Sequence, residues 1–148
     1  MNNQFLLPGS QFNLCENKEY FFKDNLLDQK KYSVFNSGKD IIRYLAETFK
    51  LKIDDEVYIS TTTESSFVSS CVTCTLFNFC KVSRVLTEKT KLIYVIHEFG
   101  FPNVKIDELC KIAKEKGIPI VEDVAHSIDS IYENRVLGQI ADYGLYSM

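Results

Sequence analysis

The stretch with the most chemical potential is Pro119-Ile120-Val121-Glu122-Asp123-Val124-Ala125-His126-Ser127. A short apolar run leads into two acids, and an imidazole follows three residues after Asp123. In a protein that alternates strands with helices, this spacing sets a carboxylate and a histidine at the carboxyl end of a buried strand. Ligands of such folds sit in the crevice outside the strand ends. A carboxylate in that crevice is suited to hold the ring nitrogen of a bound cofactor. The plain alternatives are a surface acid that ends a strand, for Asp123, and a satisfied core histidine, for His126.

Other candidates carry less. Ser37-Gly38 precedes a helical pattern, and the free N–H groups of a helix start suit an anion such as phosphate. The plain alternative there is an ordinary capped helix. Cys71 and Cys74 have Cys-x-x-Cys spacing, with Cys80 nearby. A structural zinc site wants four ligands, and no second pair or spaced histidine completes the set, so no metal site is expected. The reading preferred for Cys71 and Cys74 is that both face the core from one helix, as small hydrophobes.

The elements that must position these residues follow from periodicity. Tyr32 to Asn36 is a short extended run. Ile41, Ile42, Leu45 and Phe49 recur at helical spacing between Lys39 and Lys50. Glu56 to Ser60 reads as a strand, Thr61 to Ser66 as a polar loop, and Ser65 to Asn78 as a helix with Phe67, Val68, Cys71, Cys74 and Thr75 on one side. Val82 to Leu86 is a short strand or an extended connection. Lys91 to Ile96 is a continuous apolar strand suited to burial on both faces. His97 to Pro102 makes the loop at its end. Ile106, Leu109, Cys110 and Ala113 mark an amphipathic helix stopped by Gly117, and Ile118 to Val121 is the next strand. That strand-helix-strand unit implies parallel strands. Ile131 to Val136 looks like a hairpin turning at Glu133-Asn134, and Asp142-Tyr143-Gly144 is a turn before a strand that starts at Leu145.

Composition bounds the rest. The 148 residues are 45% apolar and 25% charged, with a net charge of −3. This is an ordinary globular balance without the basic footprint of a nucleic-acid binder. No apolar run reaches membrane-spanning length, and the first residues lack a secretion signal, so a cytoplasmic protein is expected. Five cysteines, an odd number, argue against a disulfide framework. Residues 1–31 form an N-terminal segment of mixed character, with a turn at Pro8-Gly9-Ser10 and apolar residues such as Phe5, Leu6, Phe21 and Phe22 that suit packing on a neighbour.

Three pieces in order, Glu122-Asp123-Val124-Ala125-His126, then Tyr132-Glu133-Asn134-Arg135-Val136-Leu137-Gly138, then Gly144-Leu145-Tyr146-Ser147, resemble the DegT/DnrJ/EryC1/StrS sugar aminotransferase family. Ser37-Gly38, Asp55-Glu56-Val57 and Val95-Ile96-His97-Glu98-Phe99-Gly100 add to the series. The resemblance implies a three-layer α/β/α fold with a mostly parallel sheet, residues 32–148 being an incomplete large domain of a fold-type I pyridoxal-phosphate enzyme. It implies pyridoxal 5'-phosphate as cofactor, with Asp123 on the pyridinium nitrogen and His126 near the 3-hydroxyl. Gly38, Lys39 and Ser147 would hold the phosphate.

For the complete enzyme the resemblance implies a homodimer that takes glutamate or glutamine as amino donor and a keto nucleotide-sugar as acceptor, in surface polysaccharide or antibiotic sugar biosynthesis. Two alternatives stay open: a sugar dehydratase of the same family that uses the pyridoxamine form, and a non-catalytic α/β binding module or decayed gene product. The sequence departs from the family pattern at Glu64, where an aromatic or other large residue commonly covers the ring, and at Asp54 in the turn before the first strand. In the family the Schiff-base lysine follows the phosphate serine by a few residues, and this chain stops one residue after Ser147. The chain is therefore expected to be a fragment without ordinary transamination of its own, and Lys39, Lys111, Lys114 and Lys116 read as solvated lysines.

Overall fold

The computed structural model describes residues 33–64 and 70–147. In chain order its elements are α1 (Gly38–Thr48), β1 (Glu56–Thr61), α2 (Ser70–Leu76), β2 (Lys81–Ser83), β3 (Thr90–Ile96), α3 (Ile106–Lys116), β4 (Ile120–Asp123), β5 (Ile131–Tyr132), β6 (Arg135–Val136) and β7 (Tyr143–Leu145). Five strands form one sheet in the order β2-β1-β3-β4-β7, and every neighbouring pair is parallel.

The sheet is covered on both faces because its central strands are apolar at odd and even positions alike. Side chains alternate across a strand. On β3, Leu92, Tyr94 and Ile96 therefore pack with Ile42 and Leu45 of α1 and Val72 and Leu76 of α2. Ile93 and Val95 point the other way, onto Ile106, Leu109 and Ala113 of α3. Each such aliphatic side chain contributes about 1.5–3 kcal/mol on burial. The result is the expected three-layer α/β/α arrangement.

Helix ends follow local chemistry. Ser37 caps α1, its Oγ accepting from the Asp40 amide at 3.2 Å. Gly117, at φ 65°, ends α3 in the left-handed conformation that glycine adopts without a Cβ penalty. At the hairpin between β5 and β6, Glu133 and Asn134 both have positive φ, 47° and 62°. That is the twist a two-residue hairpin turn requires.

Several expectations change. Residues 33–35 have no regular structure, so the extended run before α1 is an irregular lead-in. The second helix is described from Ser70 to Leu76, with residues 65–69 outside the described part. Cys71 and Cys74 are exposed on it, not turned to the core. Val72, Leu76 and Cys80, four residues apart, take the core side instead. The last strand begins at Tyr143, two residues earlier than expected, because Gly144 pairs with Glu122 in register. Among the described residues no cluster of histidine, cysteine and acidic side chains could hold a metal ion, and no helix is long and apolar enough to cross a membrane. The apolar residues and the turn read in 1–31 lie outside the described residues.

Candidate functional site

The carboxyl ends of β1, β3, β4 and β7 share one edge of the sheet, since all are parallel. A short connection joins α1 to β1, so α1 ends at the opposite edge and its N-terminus returns to this one. The loops 61–64, 97–103 and 124–130 crowd the same edge and are tied to one another. Thr62 Oγ1 donates to the Phe101 carbonyl at 2.9 Å, and Glu98 Oε2 accepts from the Thr63 amide and hydroxyl at 3.0 Å each. Ser127 Oγ donates to the His97 carbonyl at 2.9 Å and accepts from the Gly100 amide at 3.1 Å.

The adjacent acids of β4 point to opposite faces, and this divides their work. Glu122 faces α3 and is fully buried. Its Oε2 accepts from the Gly138 amide at 2.7 Å and lies 3.2 Å from His97 Nε2. Its Oε1 accepts from the amides of Ile140 at 2.7 Å and Ala141 at 2.6 Å. His97 Nδ1 accepts from the Asn103 amide at 2.9 Å, so the ring proton sits on Nε2 and points at Glu122. Asn103 carries the chain on, donating to Ser60 Oγ at 2.8 Å. Burial pushes the Glu122 carboxyl upward, but the bonds from His97, Ala141, Gly138 and Ile140 together outweigh it and leave the pKa below the ordinary glutamate value. Glu122 therefore clamps the loop that leads into β7.

Asp123 faces the α1 side and is 6% exposed, so it is no surface acid. Its Oδ1 accepts from the Ala125 amide at 3.0 Å and its Oδ2 from the Tyr94 hydroxyl at 2.8 Å. Burial raises its pKa, against the pull of Ala125, Tyr94, His126 and His97. His126 is exposed beyond the strand end, its ring stacked on Phe99 with centroids 5.4 Å apart. The core histidine is His97, not His126.

At the α1 terminus the Ser37 hydroxyl holds the Asp40 amide and donates to the Asp40 carboxylate at 2.8 Å. Arg43 Nη1 meets the other carboxylate oxygen at 2.7 Å and offsets the acid's charge. The amides of Gly38 and Lys39 are left as the outward-facing donors of the first turn. Apart from its own stretch of helix backbone and its chain neighbours, nothing lies within 4 Å of where a Cβ on Gly38 would stand, so a ligand oxygen can approach the backbone there. Ser147 is exposed two residues past β7. The strand end is secured by the Val124 amide on the Leu145 carbonyl at 2.9 Å. Glu64, the position of the missing aromatic, is ion-paired to Lys105. A cavity of about 610 Å³ lined by Lys114, Gly117, Pro119 and Asp142 opens at the amino end of β4, away from these residues.

The family resemblance implied Asp123, His126, Gly38, Lys39 and Ser147 as cofactor residues; Asp123 ends β4 with His126 in the loop after it, Gly38 and Lys39 open α1, and Ser147 follows β7. Sequence reasoning missed Tyr94 and the Glu122–His97 pair. The signal for the latter was the strand period itself, which sets neighbouring acids on opposite faces.

The model of the DegT/DnrJ/EryC1/StrS aminotransferase family matches residues 56–148. The chain belongs to that family. The family's members are pyridoxal-phosphate enzymes. An uncharacterized protein of Methanocaldococcus jannaschii is 27% identical over 116 residues, 78% of this chain and 25% of that one. The spore coat polysaccharide biosynthesis protein SpsC of Bacillus subtilis is 30% identical over 67 residues, 45% of this chain and 17% of its own. Among solved structures, Helicobacter pylori PseC, an aminotransferase involved in pseudoaminic acid biosynthesis, superposes with a TM-score of 0.63 at 21% identity. It covers 79% of this chain and 35% of PseC, and shows the shared fold. The chain thus spans a third or less of the length of its relatives in two of these comparisons and about a third in the other.

The residues at the carboxyl edge fit the family's cofactor. Asp123 is a buried acid held by two donors, and the start of α1 has N–H groups without a partner inside the helix, which is the chemistry that a ring N–H and a phosphate call for.

Proposed function

We propose that the complete protein is a pyridoxal-phosphate-dependent aminotransferase. It moves an amino group from glutamate or glutamine to a keto nucleotide-sugar in surface polysaccharide or antibiotic sugar assembly, and this chain supplies part of the cofactor site. The observation that carries the reading is Asp123, a buried acid at a strand end whose carboxylate is held by two donors and aimed at the α1 side. Membership of the family and the likeness to SpsC and PseC support the sugar as acceptor.

In this reading Asp123 accepts the N–H of the cofactor ring, and His126 lies by its 3-hydroxyl. The amides of Gly38 and Lys39, with the Ser147 hydroxyl, hold the phosphate by the logic of helix N-termini. When bound, the cofactor supplies an electron-withdrawing ring, and the protonated nitrogen that Asp123 maintains strengthens that pull. The whole protein is a cytoplasmic homodimer, as the family likeness suggests, and light scattering on it would return a monomer if this part is wrong.

The test is a titration of the 148-residue chain with pyridoxal phosphate, followed by absorption and fluorescence. Asp123→Asn removes the anionic partner of the ring and is expected to weaken binding about tenfold or more. Equal affinity in wild type and variant would sink the assignment. For the whole protein, a keto nucleotide-sugar incubated with glutamate should give the amino sugar, and a deoxy product would point to a dehydratase.

A further inference from the structure

Tyr94 is wholly buried in the middle of the sheet, among Leu45, Val57, Leu76 and Val121 of the α1-side core. A hydroxyl in such surroundings is costly unless it finds a partner. Tyr94 pairs in register with Val121, two residues short of Asp123. Both of those β4 residues lie on the face that Tyr94 occupies, and the phenol reaches along it toward the carboxyl edge to donate to Asp123 Oδ2 at 2.8 Å. The other oxygen, Oδ1, is held from a different element, by the Ala125 amide in the loop after β4. Two donors from two directions fix the carboxylate plane, where one would leave it free to turn.

We infer that Tyr94 is a positioning residue: its buried hydroxyl fixes the Asp123 carboxylate and holds it as an anion for a cationic N–H donor in the crevice. This rests on the proposed role of Asp123 toward the cofactor ring. The groups bonded to the Asp123 carboxylate are the Tyr94 hydroxyl and the Ala125 amide, and His126 and His97 act on it only electrostatically. Burial drives its proton affinity up, and the Tyr94 bond opposes that rise. Burial, the Asp123 charge and the hydrogen bond in turn push the phenol pKa well above the ordinary tyrosine value. Tyr94 therefore remains a donor at neutral pH. A phenylalanine would fill the same apolar space and supply none of this.

The experiment uses Tyr94→Phe in the 148-residue chain, with two readouts. The first is the titration of the Asp123 carboxyl carbon by NMR, which needs no cofactor. Its midpoint is expected to rise by about one pH unit in the variant, the scale of one hydrogen bond to a charged group. An unchanged or lower midpoint overturns the inference. The second is the pH dependence of pyridoxal phosphate binding. Its acid limb should move upward with the Asp123 midpoint in Tyr94→Phe and vanish in Asp123→Asn. If the midpoint moves but binding shows no such limb in any form, Tyr94 still positions Asp123 and it is the ring-nitrogen reading that fails. If the limb exists in wild type and ignores Tyr94, the ring-nitrogen reading stands and the Tyr94 inference falls. Should Tyr94→Phe not fold, Asp123→Asn probes the same bond from its other side. Loss of the carboxylate should lower the pH at which the buried phenol ionises, read from tyrosinate absorption, and no change there overturns the inference.

Discussion

Glu122 and Asp123 are neighbours in sequence with opposite electrostatic fates. Four donors surround Glu122, and the pKa is lowered. Asp123 has two, and burial raises it. A depressed carboxyl adds stability that is present above its unfolded pKa and lost as pH falls through the folded value. A raised carboxyl does the reverse: its ionisation removes stability as pH climbs from the unfolded to the folded value. Glu122→Gln sets an amide nitrogen against backbone N–H groups and leaves buried donors unpaired. We expect it to lower unfolding free energy by about 3 kcal/mol at neutral pH. In urea melts the gap to wild type should close as pH drops below the ordinary glutamate range. A gap independent of pH would mean that the charge of Glu122 contributes nothing. Read from sequence, the two acids form one motif, although the period of two already separates their faces. What sequence cannot supply is the distant partners, His97, Gly138, Ile140 and Ala141 for Glu122 and Tyr94 for Asp123, which stand sixteen to twenty-nine residues away.

The elements that carry the site are joined at glycines, and the demands there differ. Gly144 lies in β7 where an added Cβ would run into the Gly138 carbonyl oxygen, a backbone atom that cannot step aside. Gly138, at φ 86°, would bring a Cβ within 2.5 Å of the Tyr146 hydroxyl. Gly38 faces open space. Gly144→Ala is therefore expected to cost about 3 kcal/mol or more, while Gly38→Ala should leave the melting temperature unchanged or slightly higher, since alanine is the better helix former. Thermal melts of the two variants side by side decide this. At the far end of α1, Lys50 sits at φ 53°. Its amide bonds the Glu47 carbonyl and that of Leu51 the Ala46 carbonyl, the paired bonds of a left-handed cap. Lys50→Gly should add about 1 kcal/mol of stability, read from the urea midpoint. Helix α3 was legible to its last residue because Gly117 announces the stop. The end of α1 was not, since a lysine carries no such signal. The core face of α2 was misread for a related reason. Cysteine counts as apolar in a periodic pattern, yet Val72 and Leu76 bury more surface than Cys71 and Cys74 and so turn the helix their way.

Across the sheet as a whole, the parallel arrangement sets the lysines of α3 at increasing distance from Asp123. A parallel strand-helix-strand unit runs its helix opposite to the strands, so α3 starts at the carboxyl edge and ends at the amino edge. Its 11 residues span roughly 16 Å at 1.5 Å per residue, which takes Lys111, Lys114 and Lys116 progressively away, on the face opposite to Asp123. Lys116 is further committed to Glu88 at 3.2 Å. Lys105 stands at the carboxyl edge but is paired with Glu64, and Lys39 is exposed at the start of α1. The fold was legible from the apolar runs, and this disposition follows from the fold. It predicts reversible binding: pyridoxal phosphate should associate with the 148-residue chain without one lysine being singled out. Borohydride reduction of the loaded chain, followed by peptide mass mapping, should show at most scattered adducts, and Asp123→Asn should lower cofactor occupancy before reduction without changing that pattern. A single stoichiometric adduct on Lys39 or Lys105 in the 148-residue chain would show instead that the crevice already holds its own reactive amine.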